Sequence, residues 1–240
     1  MRSLFLNLFL LGVIVTSPGC HTLKKLGGAP SEIEMILALR DALSQGLFRS
    51  LDAFNNPEGN PLIRFVFPGE AAKIENTLRD LGFDRTVNQV TAKFNRAMST
   101  AVKTARPLFF EAVKNMTFRD AAKILVTDNP HAATDYFKQE MKPGLMTAFR
   151  PVVDSSIRTE GADQEWNTIS GIYNKLPFIS RPLETSLTDF ISARVIDLIF
   201  LLLAAEEEQI RNRYEFRKTD MMRRVFTWAE QEIKRKTGYR

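Results

Sequence analysis

Four sets of residues carry chemistry in their type and spacing. Glu206, Glu207 and Glu208 are three consecutive carboxylates that follow an apolar run at 195–205. Paired carboxylates perform acid–base work when one of them is desolvated. The plainer reading is a helix-surface pair between Glu207 and Arg211 at i, i+4, with a neighbouring Glu meeting an arginine elsewhere. Asp197 lies inside the run VIDLIFLLLAA. A bare carboxylate there is costly, so it either faces a cation (Arg194, Arg40 or Arg119) or lines a polar cleft. His131 and Asp135 share i, i+4 spacing, with Asp128 just before, and such a pair can present two ligands on one helix face. A zinc site needs about three protein ligands, however. The chain has one other histidine, His21, and a single cysteine. The expectation is therefore no metal and no other cofactor, with Asp128 or Asn129 capping a helix and His131 on its first turn.

The fourth candidate is that cysteine, Cys20. Residues 1–3 carry one positive charge, about a dozen mostly apolar residues follow, and Thr16-Ser17-Pro18-Gly19 are small and turn-prone. This is the layout of a bacterial export signal. The apolar core is well short of the roughly 20 residues that span a bilayer. Gly19 before Cys20 suits cleavage with lipid attachment at Cys20, although Ser17 stands where a leucine is usual. Ser17 and Gly19 also satisfy the ordinary signal-peptidase rule, which leaves a soluble periplasmic protein as the alternative. A solitary cysteine in an oxidising compartment favours the lipoprotein. The expected division is a signal peptide at 1–19, a lipidated cysteine and flexible tether at 20–30, and a helical domain at 31–240. His21 in the second mature position is not the aspartate of inner-membrane retention, so the expected address is the periplasmic face of the outer membrane.

Composition narrows the partners. The net charge is +5 and the pI about 9.4. In the cytosol that would suggest nucleic acid; an exported chain is not expected to meet any. The basic end, EIKRKTGYR, reads as a solvated helix terminus with cations at the negative end of its dipole. One cysteine excludes an intrachain disulfide framework. No nucleophile elbow, phosphate loop or dinucleotide fingerprint occurs, and no catalytic residue is assigned.

The elements that must position these groups are helical. Ser31 and Glu34 form a capping box for a helix over about 32–54. Ile63, Phe65 and Phe67 alternate with polar or outward positions in a short extended segment over about 62–67, too isolated to pair as a strand. Pro68 opens a helix that ends at Gly82. Asp84 caps a long helix that Pro107 kinks or divides. Thr117 with Asp120 caps the next, Pro130 opens another, and Pro143 opens a further one with Pro151 as a second kink. RTEGADQE reads as a loop before the helix WNTISGIYNKL. Ser186 starts the central apolar helix, about 187–213, in which Leu198, Phe200 and Leu202 should be buried. Thr219 caps the last helix. The fold class is all-α, a single compact multi-helix domain.

Four stretches, in this order and spacing, resemble the bacterial family known as domain of unknown function 4197: EIEMILALRDALSQG; KNMTFRDAAKIL with AATDYF; LMTAFRPVV; and DFISARVIDLIFLLLAAEEEQIR leading into RKTDMMRRVF. They cover most of residues 31–228. The resemblance implies an exported protein of Gram-negative bacteria, often with a lipoprotein-like start, and brings no activity or catalytic residue. Two functional classes follow. One is a non-enzymatic envelope lipoprotein, held to the membrane by its lipid, that binds an apolar ligand, a lipid or an envelope protein. The alternative is an enzyme acting on envelope material through Asp197, Glu206, Glu207, Arg211 and His131.

Overall fold

The computed structural model describes residues 28–57, 59–67, 69–175 and 186–238. Cys20, the expected signal segment and most of the expected tether lie outside them, as does Pro68. The described chain forms eight α-helices: α1 Glu32–Asp52, α2 Gly69–Asp80, α3 Asp84–Asn115, α4 Ala121–Leu125, α5 Ala132–Thr159, α6 Ala162–Asn174, α7 Leu187–Asn212 and α8 Asp220–Thr237. Two 3₁₀ turns, Ala53–Asn55 and Tyr214–Phe216, follow α1 and α7. The fold is all-α, and among the described residues there is no strand. No described helix is long and apolar enough to cross a membrane.

Helix starts follow local chemistry. Ser31 accepts from the Glu34 amide while the Glu34 carboxylate accepts from Ser31, so two orphan donors of α1 are satisfied reciprocally. Ser186 and Thr219 cap α7 and α8 through Asp189 N–H and Met222 N–H. Gly82, at φ +82°, ends α2: its N–H donates to Arg79 O and Phe83 N–H donates to Leu78 O, the bonding of a Schellman turn.

Other boundaries differ from expectation. Thr117 is not a cap; Asp120 is, with its carboxylate on Lys123 N–H, and α4 spans only five residues. Asp84 is the first residue of α3, not its cap. Pro107 lies inside α3, and Pro143 and Pro151 inside α5, and neither helix is divided. Each proline costs its helix one hydrogen bond, but Phe109 and Val113 beyond Pro107, and Phe149 and Val153 on either side of Pro151, are almost wholly buried. Packing of that apolar face outweighs the local penalty. The expected loop RTEGADQE shrinks to a tight turn at Glu160 and Gly161, the latter at φ +64°, so α6 begins at Ala162.

The extended segment appears where its alternation placed it. Ile63, Phe65 and Phe67 are buried while Leu62 and Val66 are exposed. Without a partner strand its backbone uses a side chain: buried Asn95 of α3 accepts the Phe65 N–H at 2.7 Å. Phe65 meets Phe94 at 4.4 Å between centroids, and Phe67 stacks on Trp166.

α7 runs through the core between α1 and α5. Ile191, Val195, Ile196, Ile199 and Ile210 are fully buried, with Leu198, Phe200 and Leu203 nearly so. One stripe stays open to water: Asp197, Leu201, Ala205 and Glu208 recur at helical spacing and are exposed. Leu202 flanks that stripe and is only partly buried, short of the full burial expected; Leu203 takes the core position. Leu203→Ala should cost about 2–5 kcal/mol, whereas Leu201→Ala, at a position 56% exposed, should stay within about 0.5 kcal/mol. Denaturant midpoints of the two variants check the register of α7.

Candidate functional site

The polar candidates are distributed around α7 and do not converge. Asp197 and Glu206 are nine positions apart, about 180° around a helix. Asp197 turns to α5, where Lys142 lies at 2.6 Å and Lys138 at 3.9 Å. Its cations are therefore these two lysines, not Arg194, Arg40 or Arg119, and the carboxylate is about half exposed. Arg40 instead donates to Met116 O at the end of α3. Glu206 turns to α1 and pairs with Arg49 at 3.0 Å. Gly46 makes that approach possible: a Cβ there would stand 2.6 Å from Leu203 Cδ1 and 3.2 Å from Glu206 Cβ.

Glu207 points a third way and is not on the surface. It is 3% exposed. Its Oε1 accepts from Ala133 N–H at 3.0 Å, and its Oε2 from Thr134 N–H at 2.7 Å. These are first-turn amides of α5, donors that no helix can satisfy internally. The carboxylate thus sits at the positive end of the α5 dipole. Arg211 donates to Oε1 through Nε at 2.8 Å, and its terminal nitrogens donate to Leu125 O and Ile124 O at the end of α4. The surface pair expected from i, i+4 spacing is in fact a buried clamp that fixes α4 and α5 to α7. Glu207 thus accepts three hydrogen bonds, two from the start of α5 and one from Arg211, and serves to join helices.

His131 is the N-cap residue of α5, but its ring does not cap: Nδ1 lies 3.1 Å from Ala204 O on α7. A carbonyl partner requires Nδ1 to carry the proton. Asp135 accepts from Asn129 Nδ2, and Asn129 Oδ1 accepts the His131 N–H. The histidine and Asp135 are thereby drawn into separate interactions. Among the described residues no group of three His, Cys, Asp or Glu side chains is placed to hold a metal ion.

The network continues to a residue that sequence reasoning missed. Arg217, between α7 and α8, is 2% exposed. It donates to Ile210 O at 3.0 Å, Arg211 O at 2.7 Å, Thr227 Oγ1 at 2.8 Å and Glu230 Oε2 at 3.1 Å. A cation just past a helix C-terminus was the only signal available for it. Lys234 also holds Glu230, at 2.9 Å. That hydrogen bond is the main cause that keeps the Glu230 carboxyl below its ordinary 4.5; burial opposes it and Arg217 adds to it.

Beside this network lies a groove of about 230 Å³. Leu125, Pro130, Phe226, Ala229 and Ile233 give it apolar walls, and Arg211, Glu230 and Lys234 edge it. The first half of α8 is seated in the core through Met222, Val225, Phe226 and Ala229. From Glu230 onward no residue of α8 is buried. The end of α8 is half-buried to exposed, and through Ile233 and Lys234 it forms one lip of the groove.

Glu207→Gln should destabilise the fold by about 3–5 kcal/mol, because Arg211 then stays buried without its counter-charge. Asp197→Asn should cost less than about 1 kcal/mol. Urea titration of the two variants separates the buried clamp from the open pair. A carboxyl whose folded pKa is depressed contributes stability above its ordinary pKa and loses it as pH falls through the folded value. Glu230 should therefore titrate below 4.5, and Lys234→Ala should move it upward in carbon-detected NMR.

No curated protein and no solved structure matches the chain. A family model does: the one described as protein of unknown function, DUF4197, matches residues 29–227. That span holds Glu207, Arg211 and Arg217 and the first turns of α8 as far as Thr227, and the chain belongs to the DUF4197 family.

Proposed function

We propose that the protein is an exported, lipid-anchored module of the bacterial cell envelope that works by binding and not by catalysis. Its anchor is Cys20, its address the periplasmic face of the outer membrane, and its partner an apolar segment of another envelope protein. The groove along the end of α8 carries this reading. Its walls are apolar, and the charged groups at its edge are largely spoken for: Arg211 by Glu207, and Glu230 by Arg217 and Lys234. A volume of about 230 Å³ falls below the roughly 300–1,000 Å³ of small-molecule sites. It suits a few side chains of a partner helix or strand better than a whole lipid. The acidic residues of α7 speak against the enzyme, because Asp197, Glu206 and Glu207 face three directions and each is held by a cation.

The test is native mass spectrometry of the protein extracted gently from its own membrane, alongside Ile233→Glu. The expected result is a lipid-modified Cys20 and a bound protein that is lost in Ile233→Glu, with the thermal midpoint of the variant little changed. An unmodified Cys20 would remove the anchor. A partner retained by Ile233→Glu would remove the groove.

A further inference from the structure

The described chain begins at Gly28 in a defined place. Gly28 and Pro30 line a concavity of about 440 Å³ together with Tyr214, Arg223, Arg224 and Trp228. Tyr214 is 59% exposed on the turn after α7, and Trp228 is half-buried on α8. Tyrosine and tryptophan suit a boundary between water and hydrocarbon, with an apolar body and a polar tip. The charges of this face are close to balanced. Arg223 pairs with Asp220 at 2.8 Å, and Arg224 with Glu34 at 2.6 Å.

Geometry adds a constraint that rests on the lipid-anchor reading above. Eight residues lead from Cys20 to Gly28, a reach of at most about 28 Å when fully extended. A folded domain of about 210 residues has a radius of gyration near 17 Å, hence a diameter above 40 Å. A tether shorter than the domain is wide cannot let the far side turn to the membrane. We infer that the face formed by Tyr214, Trp228, Arg223 and the exit of the tether lies against the phospholipid bilayer, with the two aromatic rings at headgroup level. Its charges being paired, the contact rests on the aromatic side chains, and added salt screens little of it. Trp228 and Ile233 are five positions apart on α8, about 140° around the helix. With Trp228 toward the lipid, the groove at Ile233 is left open to a partner.

The chain contains two tryptophans, and Trp166 is buried in the core. In Trp166→Phe, Trp228 is the sole reporter. The lipidated full chain is reconstituted into phosphatidylethanolamine–phosphatidylglycerol vesicles with plain or brominated acyl chains. The expected result is blue-shifted Trp228 emission that brominated chains quench, equally at low and high salt, with weaker quenching in Tyr214→Asp at unchanged vesicle flotation. Hydrogen exchange on the unaltered sequence is the second measurement, should Trp166→Phe fold poorly: amides of the Tyr214 turn should be protected in vesicles relative to detergent. Protein that floats with vesicles while Trp228 stays unquenched, or while that turn gains no protection, overturns the orientation and leaves the anchor standing. Protein that fails to float and has an unmodified Cys20 overturns both.

Discussion

The fold hinges on one buried carboxylate. Glu207 offers its two oxygens to the first amides of α5, and Arg211, one turn on, offers its guanidinium to the last carbonyls of α4. α7 thus carries an anion for one helix start and a cation for one helix end, each matching the local dipole. α4 has five residues, far below the length at which a helix holds itself together. It exists because its carbonyls have partners and because Ala121, Ile124 and Leu125 are buried. Two buried charges are expensive to desolvate, and the pair is tolerable because Glu207 accepts three hydrogen bonds and Arg211 donates to Glu207 and to two carbonyls. The same arrangement fixes the 125–130 segment, which forms one wall of the groove.

Arginine has a recurrent task here. α2, α5 and α8 end beside glycines at positive φ, Gly82, Gly161 and Gly238. α3, α4 and α7 have no such glycine among their described ends. Arg40 takes Met116 O after α3, Arg211 takes Ile124 O and Leu125 O after α4, and Arg217 takes Ile210 O and Arg211 O near the end of α7. A planar guanidinium can bridge two carbonyls at once, which a lysine ammonium does less well. Part of the basic excess is thus turned inward to close helices, and the pI is a poor guide to the partner of this protein.

What was legible in the sequence follows from how local each cause is. Ser31, Gly82, Ser186 and Thr219 act within a turn of themselves, and their helix ends could be read directly. The alternation of Ile63, Phe65 and Phe67 was legible for the same reason, although the acceptor at Asn95 lies thirty residues away in the chain. Pro143 misled as a helix start because its penalty is local while the packing that overrides it is not. The apolar run around Asp197 pointed to a cation but not to Lys142 and Lys138 of α5, which hold it. Its spacing with Leu201, Ala205 and Glu208 marks the one stripe of α7 that no helix covers. Glu207 differs from Glu206 and Glu208 only in azimuth. Nothing in three identical neighbours tells which will be buried until α4 and α5 are seen to end against it.

α8 shows how an interaction surface can follow from where burial stops. Its first half is pinned by Met222, Val225, Phe226 and Ala229, by Thr219 to Asp41 on α1, and by Glu230 to Arg217. Beyond Glu230 the helix continues for two turns without a buried residue. Internal pairs, Glu230 with Lys234 and Glu232 with Arg235, hold those turns helical. Ile233, half-buried on this stretch, lines the groove. Arg211, fixed by Glu207 and by the last carbonyls of α4, lines the same groove from α7.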